Sequence, residues 1–353
     1  MRVLHINQNY TGHLLHGELL SELTRQGVEN TLFCPERIGA RLVDDKVMKI
    51  IPMLRLAHKV SLWAKCRAIK REVEKRIDVR AYNLIHAYTI FSDGVVACRL
   101  GKEYHIPYVV AVRQSDLNFH LKYRPWLWPL ARRVMSNAKS VFFLSDPYRK
   151  RMYPNGENVQ TIPSGLTGFW VDNPPNLARV NDGIIRIASV GTMDRNKNII
   201  SVAKAAQLLV ERGHKVTLEI ASSSEDPVVL GEVMKFPFVQ YHGKLNAEGV
   251  RDLFRRCDLF ALVSYQETFG TVYTEAMSQG LPLVYTKDQG FDGCFADGEV
   301  GYASMPDDIS AIAEAIQKCY NNRSQLSSNA LRGVKRFSWT IIASRYKEIY
   351  ENT

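Results

Sequence analysis

Residues 265–286 read YQETFGTVYTEAMSQGLPLVYT. Two glutamates, Glu267 and Glu275, have seven residues between them. The apolar run LFALVS (259–264) comes just before and reads as a buried strand. GTVYTEAMSQG (270–280) then reads as a short helix with a C-cap near Gly280, and LPLV returns to a strand. Strand, loop, helix, strand is one turn of a parallel α/β sheet. A helix starting near Gly270–Thr271 presents free amides and the positive end of its dipole, a ready place for phosphate. Glu275 lies about one turn inside, where a carboxylate can accept from two hydroxyls of a ribose. Glu267 lies before the helix, on the side where a group beyond the phosphates would sit. The loop and helix together have the outline of a nucleotide-sugar site, although an acidic first turn and one solvated glutamate would give the same letters.

The same alternation extends in both directions. Upstream, IIRIASVG (184–191), VTLEIA (216–221) and VQYHG (239–243) read as strands. NIISVAKAAQLLVERG (198–213) and AEGVRDLFRRC (247–257) read as the helices between them, and DISAIAEAIQKCYNN (308–322) as a later one. The first half repeats the pattern, with RVLHIN (2–7), ENTLFC (29–34), NLIHAY (83–88), YVVAVR (108–113), KSVFFLSD (139–146) and VQTIPSG (159–165) as strands. GELLSELTRQG (17–27) is an amphipathic helix closed by Gly27. A stretch rich in Gly, Pro and Asn without periodicity separates the halves. The expected organisation is therefore an N-terminal Rossmann-like domain (1–165), a linker (166–183) and a C-terminal Rossmann-like domain (184–337). The last amphipathic segment, within 338–353, closes the chain.

Ligands of open parallel sheets bind beyond the carboxyl ends of the strands. In the second half, GTMDRNKNI (191–199) follows a strand and offers Arg195 and Lys197 to a diphosphate, with Gly191 and Thr192 beside them. Lys244 and Leu245 follow another strand, where backbone groups can meet a nucleobase. In the first half the candidates are Gly12 and His13 after the first strand, His86, and Arg113 with Asp116. No G-x-G-x-x-G fingerprint is present, which disfavours a dinucleotide.

The chain has 353 residues and a formal charge of +10. Residues 1–165 hold 26 Lys and Arg against 14 Asp and Glu, a balance of +12, so the remainder carries −2. The basic character thus belongs to the first half, where HKVSLWAKCRAIKREVEKRI (58–77) and HLKYRPWLWPLARRVM (120–135) mix cations with Trp63, Trp126 and Trp128. Such segments suit an anionic membrane surface as well as an ordinary helix packed on a sheet. No nucleic-acid recognition module accompanies the charge. Six scattered cysteines without a C-x-x-C pair suggest reduced thiols in the cytosol. No apolar run approaches the length of a membrane span, and the first residues do not form a signal peptide.

The segment ETFGTVYTEAMSQGLPLV, with LFALVS before it and FSWTIIASRYKEIY near the end, resembles the E-x7-E signature of retaining glycosyltransferases of the GT-B fold, in particular family 4. The resemblance covers essentially the whole chain. It implies two Rossmann-like doubly wound domains facing a central cleft, with the nucleotide-sugar donor held by the C-terminal one and the acceptor by the N-terminal one. It also implies that the last helix packs back on the N-terminal domain. By the family pattern Glu275 holds the ribose and Glu267 touches the donor sugar hydroxyls. The amides of Phe269, Gly270 and Thr271 meet the diphosphate and sugar, and Lys197 matches a diphosphate-binding lysine. Two positions depart from the pattern. Thr192 stands where the family has an arginine, with Arg195 placed to compensate, and Arg113 stands where a histidine is frequent.

The resemblance further implies transfer from a UDP- or GDP-sugar, with retention, to a glycan or lipid-diphosphate-linked acceptor in cell-surface polysaccharide synthesis. The leaving phosphate would accept the acceptor's proton. No D-x-D motif occurs, so no obligatory metal is expected. The expected location is cytoplasmic, at the inner face of the membrane. Two alternatives remain open: a nucleotide-sugar epimerase or hydrolase of the same fold, and a non-catalytic sugar-binding protein.

Overall fold

The computed structural model describes residues 1–12, 14–175 and 182–353. His13, a candidate of the first-half loop, lies outside the described residues, as do positions 176–181 of the expected linker. The chain folds as two compact units. The first comprises Met1–Leu144, Arg149–Gly165 and Trp339–Thr353; the second comprises Ser145–Tyr148 and Leu166–Ser338.

The N-terminal unit is built on eight strands: β1 (Arg2–Ile6), β2 (Glu29–Arg37), β3 (Val43–Asp44), β4 (Met48–Leu54), β5 (Leu84–Ala87), β6 (Tyr108–Ala111), β7 (Ser140–Phe143) and β8 (Val159–Thr161). Their order is β3-β4-β2-β1-β5-β6-β7-β8, and all pairs are parallel except β3 with β4. Strands β5, β6 and β7 are buried along their whole length, which is why LIHA, YVVA and SVFF read as continuous runs rather than alternations. The closing helix, Trp339–Glu351, buries Ile342, Ala343, Tyr346 and Tyr350 in the same cluster as Val3, Leu84, Val109 and Phe142.

The second unit holds β9 (Ile184–Met193), β10 (Lys215–Glu225), β11 (Val239–Tyr241), β12 (Leu259–Ala261), β13 (Leu283–Thr286) and β14 (Gly301–Ser304). Their order is β11-β10-β9-β12-β13-β14, all parallel. This is the doubly wound 3-2-1-4-5-6 arrangement, whose order reverses between β9 and β12. In the N-terminal sheet the reversal falls between β1 and β5.

Three details differ from the sequence reading. Strands β3, β4 and β14 were not expected; β4 carries Pro52 and is only partly buried, so it lacks a recognisable pattern. Strand β9 continues through Gly191 and Thr192 to Met193, paired with β10 as far as Glu225, so these residues are not in a loop. Within the expected linker, Gly168–Asp172 form a short helix, and Trp170 is buried against Phe254.

Candidate functional site: the reversal point of the C-terminal sheet

Lys197 and Glu267 are 70 positions apart in sequence, yet Lys197 Nζ lies 2.5 Å from Glu267 Oε2. Each follows one of the two strands that flank the reversal, β9 and β12. Asparagines hold the two loops together. The Asn196 side chain donates to the Gln266 carbonyl at 3.1 Å and accepts from the Gln266 amide at 3.0 Å, while its own carbonyl accepts from Tyr265 at 2.8 Å. Asn198 takes a left-handed conformation (φ 54°), which asparagine tolerates, and donates to the carbonyls of Val263 and Pro306. Asp194 accepts from the Lys197 amide at 2.8 Å and from the Thr192 hydroxyl at 2.6 Å. The stem of Lys197 crosses Gly191, where a Cβ would lie 3.8 Å from its Cγ and Cδ.

Glu267 is buried and its backbone is gripped by the 289–290 turn. Gly290 donates to the Glu267 carbonyl at 2.9 Å. A Cβ at Gly290 would sit 2.9 Å from both Glu267 Cγ and the Phe269 nitrogen, so the approach requires glycine. Phe269 is buried against Phe291 and Phe337. Gly270 caps the Thr271–Ser278 helix at φ 80°, and a side chain there would strike the Tyr273 ring at 2.5 Å. The amides of Gly270 and Thr271 therefore lie at the open, positive end of the helix. The other end closes as a Schellman motif, with Gly280 donating to Met277 and Leu281 to Ala276.

Glu275 points from the second turn of this helix. Its carboxyl is half-buried, has no hydrogen-bond partner among the described residues, and is pushed up to about 7 by burial. A desolvated acceptor without a donor is a place for ligand hydroxyls. Arg195 is exposed on the same loop as Lys197. Lys244, also exposed, and Leu245 lie beyond β11, two strands from β9 in the sheet order. A chain of bonds connects these strand ends: Met193 donates to the Ser222 hydroxyl, and Ser222 donates to the Gly243 carbonyl. Sequence reasoning did not single out Asp194, Asn196, Asn198 or Gly290. The clustered Asn and Asp of DRNKN and the glycine of DQG were the only signals, and both look like ordinary turns.

Of the N-terminal candidates, His86 lies in β5 at the equivalent reversal, and Arg113 and Asp116 follow β6, the next strand. His86 is fully buried at Nδ1 2.6 Å from the Tyr350 hydroxyl, and burial lowers its pKa well below the usual histidine value, helped by the nearby charge of Arg113. Asp116 is fully buried and accepts from the amides of Ile90, Phe91 and Arg113; burial still pushes it up to about 6. Arg113 is half-buried, and its Nε has no hydrogen-bond partner among the described residues. Gly12 ends a short 3-10 turn, Tyr10–Gly12. Asp93, which the sequence reading passed over, is fully buried beside the Gln8 amide and is pushed up to about 7 by burial. Among the described residues no group of three His, Cys, Asp or Glu is placed to hold a metal ion.

Comparison with known proteins accords with this geometry. Residues 17–167 match the model of "Glycosyltransferase Family 4", and residues 175–332 match that of "Glycosyl transferases group 1". TuaC of Bacillus subtilis (strain 168), a glycosyltransferase assigned to teichuronic acid biosynthesis, is 23% identical over 353 residues, covering 90% of this chain and 89% of TuaC. Among solved structures, sucrose-phosphate synthase from Thermosynechococcus elongatus superposes with a TM-score of 0.76 at 20% identity, covering 100% of this chain and 98% of that one. Anabaena HepE, solved with UDP and glucose, gives 0.70 at 17% identity and covers 100% of both chains. The chain belongs to the family 4 glycosyltransferases of the GT-B fold.

Proposed function

We propose that this glycosyltransferase moves a sugar from a UDP- or GDP-sugar, with retention, to a hydroxyl of a glycan or lipid-diphosphate-linked glycan in bacterial surface-polysaccharide synthesis. The observation that carries the donor side is the Lys197–Glu267 pair at the sheet reversal, next to the open end of a helix that carries the unpartnered Glu275. An ammonium has three donors, so Lys197 can keep Glu267 and still donate to a phosphate oxygen. Its charge, the helix end and the exposed Arg195 stabilise the diphosphate as it departs. Glu267, fixed by Lys197 and Gly290, orients the hydroxyls of the sugar, while Glu275 accepts from the ribose. Lys244 and Leu245 line the side toward the base. The acceptor side is assigned to Gly12, Arg113, Asp116 and His86, with His13 a candidate from the sequence alone.

TuaC's assignment to teichuronic acid biosynthesis supports the polysaccharide reading, and the UDP and glucose in HepE support a nucleotide-sugar donor. No helix among the described residues is long and apolar enough to cross a membrane. Contact with the inner membrane face would instead come from the basic N-terminal unit, where Trp63 and Trp126 are 52% and 70% exposed. The donor assignment is tested by thermal shift against a panel of UDP-, GDP- and other activated sugars. At least one should raise the melting temperature; a flat response across the panel overturns the reading.

A further inference from the structure

A cavity of about 680 Å³ opens in the N-terminal unit beyond the carboxyl ends of β1, β2 and β4. None of the single candidate site residues read from the sequence lines it, although His58 and Lys65 belong to the basic segment 58–77. Four basic side chains do: Arg37, Arg55, His58 and Lys65. Lys65 comes from the Leu62–Arg76 helix and is held by the side-chain oxygen of Gln8. Among the described residues, neither the Arg37 nor the Arg55 guanidinium has an ion-pair or hydrogen-bond partner. Arg37 is near enough to Lys65 to disfavour its charge, adding to the burial that lowers the Lys65 pKa, while Asp93 opposes both. Two guanidinium groups lining one cavity, with no carboxylate among the described residues bonded to either, form an incomplete electrostatic arrangement. One carboxylate shares the lining, Glu36, and both its oxygens are engaged, by the Thr11 hydroxyl and by the Arg37 amide.

The rest of the wall is apolar. Ile38 and Leu56 line the same cavity and are 60% and 77% exposed, with Leu54 beside them. Val60 and Trp63 follow in the chain and are exposed as well. A free phosphate would leave this wall wet, and an uncharged lipid would leave the guanidinium groups unmatched.

We propose that this cavity is the acceptor's anchoring subsite and takes a phosphate or diphosphate carried on an apolar chain. The subsite rests on the reading of the chain as a transferase. It adds to that reading the part of the acceptor that is recognised: an anionic head gripped by arginines, and the first part of a hydrocarbon tail laid on Ile38, Leu54 and Leu56.

The test is calorimetric titration of the full chain with geranyl diphosphate, inorganic pyrophosphate, geraniol and UDP as probes. Wild type, the Arg37→Gln/Arg55→Gln variant and Lys197→Ala are compared. Geranyl diphosphate should bind wild type and Lys197→Ala alike, and bind the double arginine variant about tenfold more weakly or worse. UDP should show the reverse: weakened by Lys197→Ala and unchanged in the arginine variant, which also shows that variant to be folded. Equal binding of geranyl diphosphate to wild type and the arginine variant overturns the proposal, as does no binding to wild type. Pyrophosphate as tight as geranyl diphosphate, or geraniol as tight, overturns the amphiphilic occupant. If geranyl diphosphate behaves as expected while no nucleotide binds, the donor assignment fails and the subsite stands.

Discussion

The two sheets reverse their strand order at equivalent places, and the two reversals are built from opposite materials. In the C-terminal unit the loops after β9 and β12 carry charge near the surface, with Lys197 paired to Glu267 and asparagine side chains stitching one loop to the other. In the N-terminal unit the loop after β5, which flanks the reversal, and the loop after β6, one strand further out, carry charge in the interior, where Asp93 and Asp116 are fully buried. There the segment Ile90–Gly94 is kinked, with Ser92 at φ 61°, and Asp116 holds it through the amides of Ile90 and Phe91. One reversal keeps a cation partly open to solvent; the other uses its charge to shape a backbone.

Lys197→Ala breaks the comparison most directly. It strands Glu267, which is buried, and removes the cation paired with it. Transfer should fall by about 100- to 1,000-fold, and stability by about 2–3 kcal/mol. The Lys197→Ala/Glu267→Gln double variant should recover most of the stability, read by urea denaturation, and none of the activity. If the single variant keeps its transfer rate, the C-terminal pair is structural, like the acids of the other unit.

The converse substitution is Asp116→Ala. Three backbone amides lose their acceptor in the interior, which should cost about 2–3 kcal/mol. Nucleotide binding should stay within about twofold of wild type, since Asp116 serves the N-terminal loops alone. A large loss of nucleotide affinity at unchanged stability would erase the contrast between the two reversals.

How much of this contrast was readable in the letters differs by residue. Glu267, Glu275 and Lys197 were visible because each follows a strand or opens a helix, and strand ends are where such sheets bind. Their mutual approach was not visible, because it depends on Asn196 and Asn198, whose bonds run to backbone atoms about 65 to 110 positions away in sequence. Strand β4 escaped for a different reason: MKIIPML carries a proline and is only partly buried, so neither alternation nor a continuous apolar run marks it. That missed strand and its following loop supply Leu54 and Arg55, which is why the cationic cavity also went unread. Strand β9 ran past the glycine expected to end it because Met193 is fastened to the Ser222 hydroxyl and to the Asp226 amide.

Titration sharpens the comparison further. Burial raises Asp93 to about 7, Asp116 to about 6 and Glu275 to about 7, from ordinary values of 3.8, 3.8 and 4.5. A carboxyl raised on folding favours the folded chain while both states are protonated, and loses that contribution as pH rises through the folded value. The ligand-free protein should therefore lose stability between about pH 4 and pH 7. Glu275 differs from the other two because its partner is expected to be the donor. Hydroxyls that donate to a carboxylate favour its ionised form, so donor binding near pH 6.5 should release a proton. Calorimetry in buffers of different ionisation enthalpy reads that release directly. Glu275→Gln should abolish it and weaken donor binding, while Asp116→Asn should leave it intact.

The smallest effect concerns the surface of the N-terminal unit. Trp63 lies beside Arg99, whose guanidinium stacks on its ring at 5.1 Å, and Trp126 stands exposed near Lys122, Tyr123 and Arg124 in the chain. Neither ring contributes to a buried core, so Trp63→Ala/Trp126→Ala should change stability by no more than about 0.5 kcal/mol. An interfacial ring together with basic neighbours gains free energy only at an anionic surface, and the electrostatic share of that gain is screened by salt. Sedimentation with vesicles containing phosphatidylglycerol should therefore fall a few-fold in the double variant at low salt and for both proteins at high salt. Donor binding should stay unchanged, because the proposed donor site lies in the other unit. Equal sedimentation of wild type and variant would remove the tryptophans from the membrane contact and leave the attraction to charge alone.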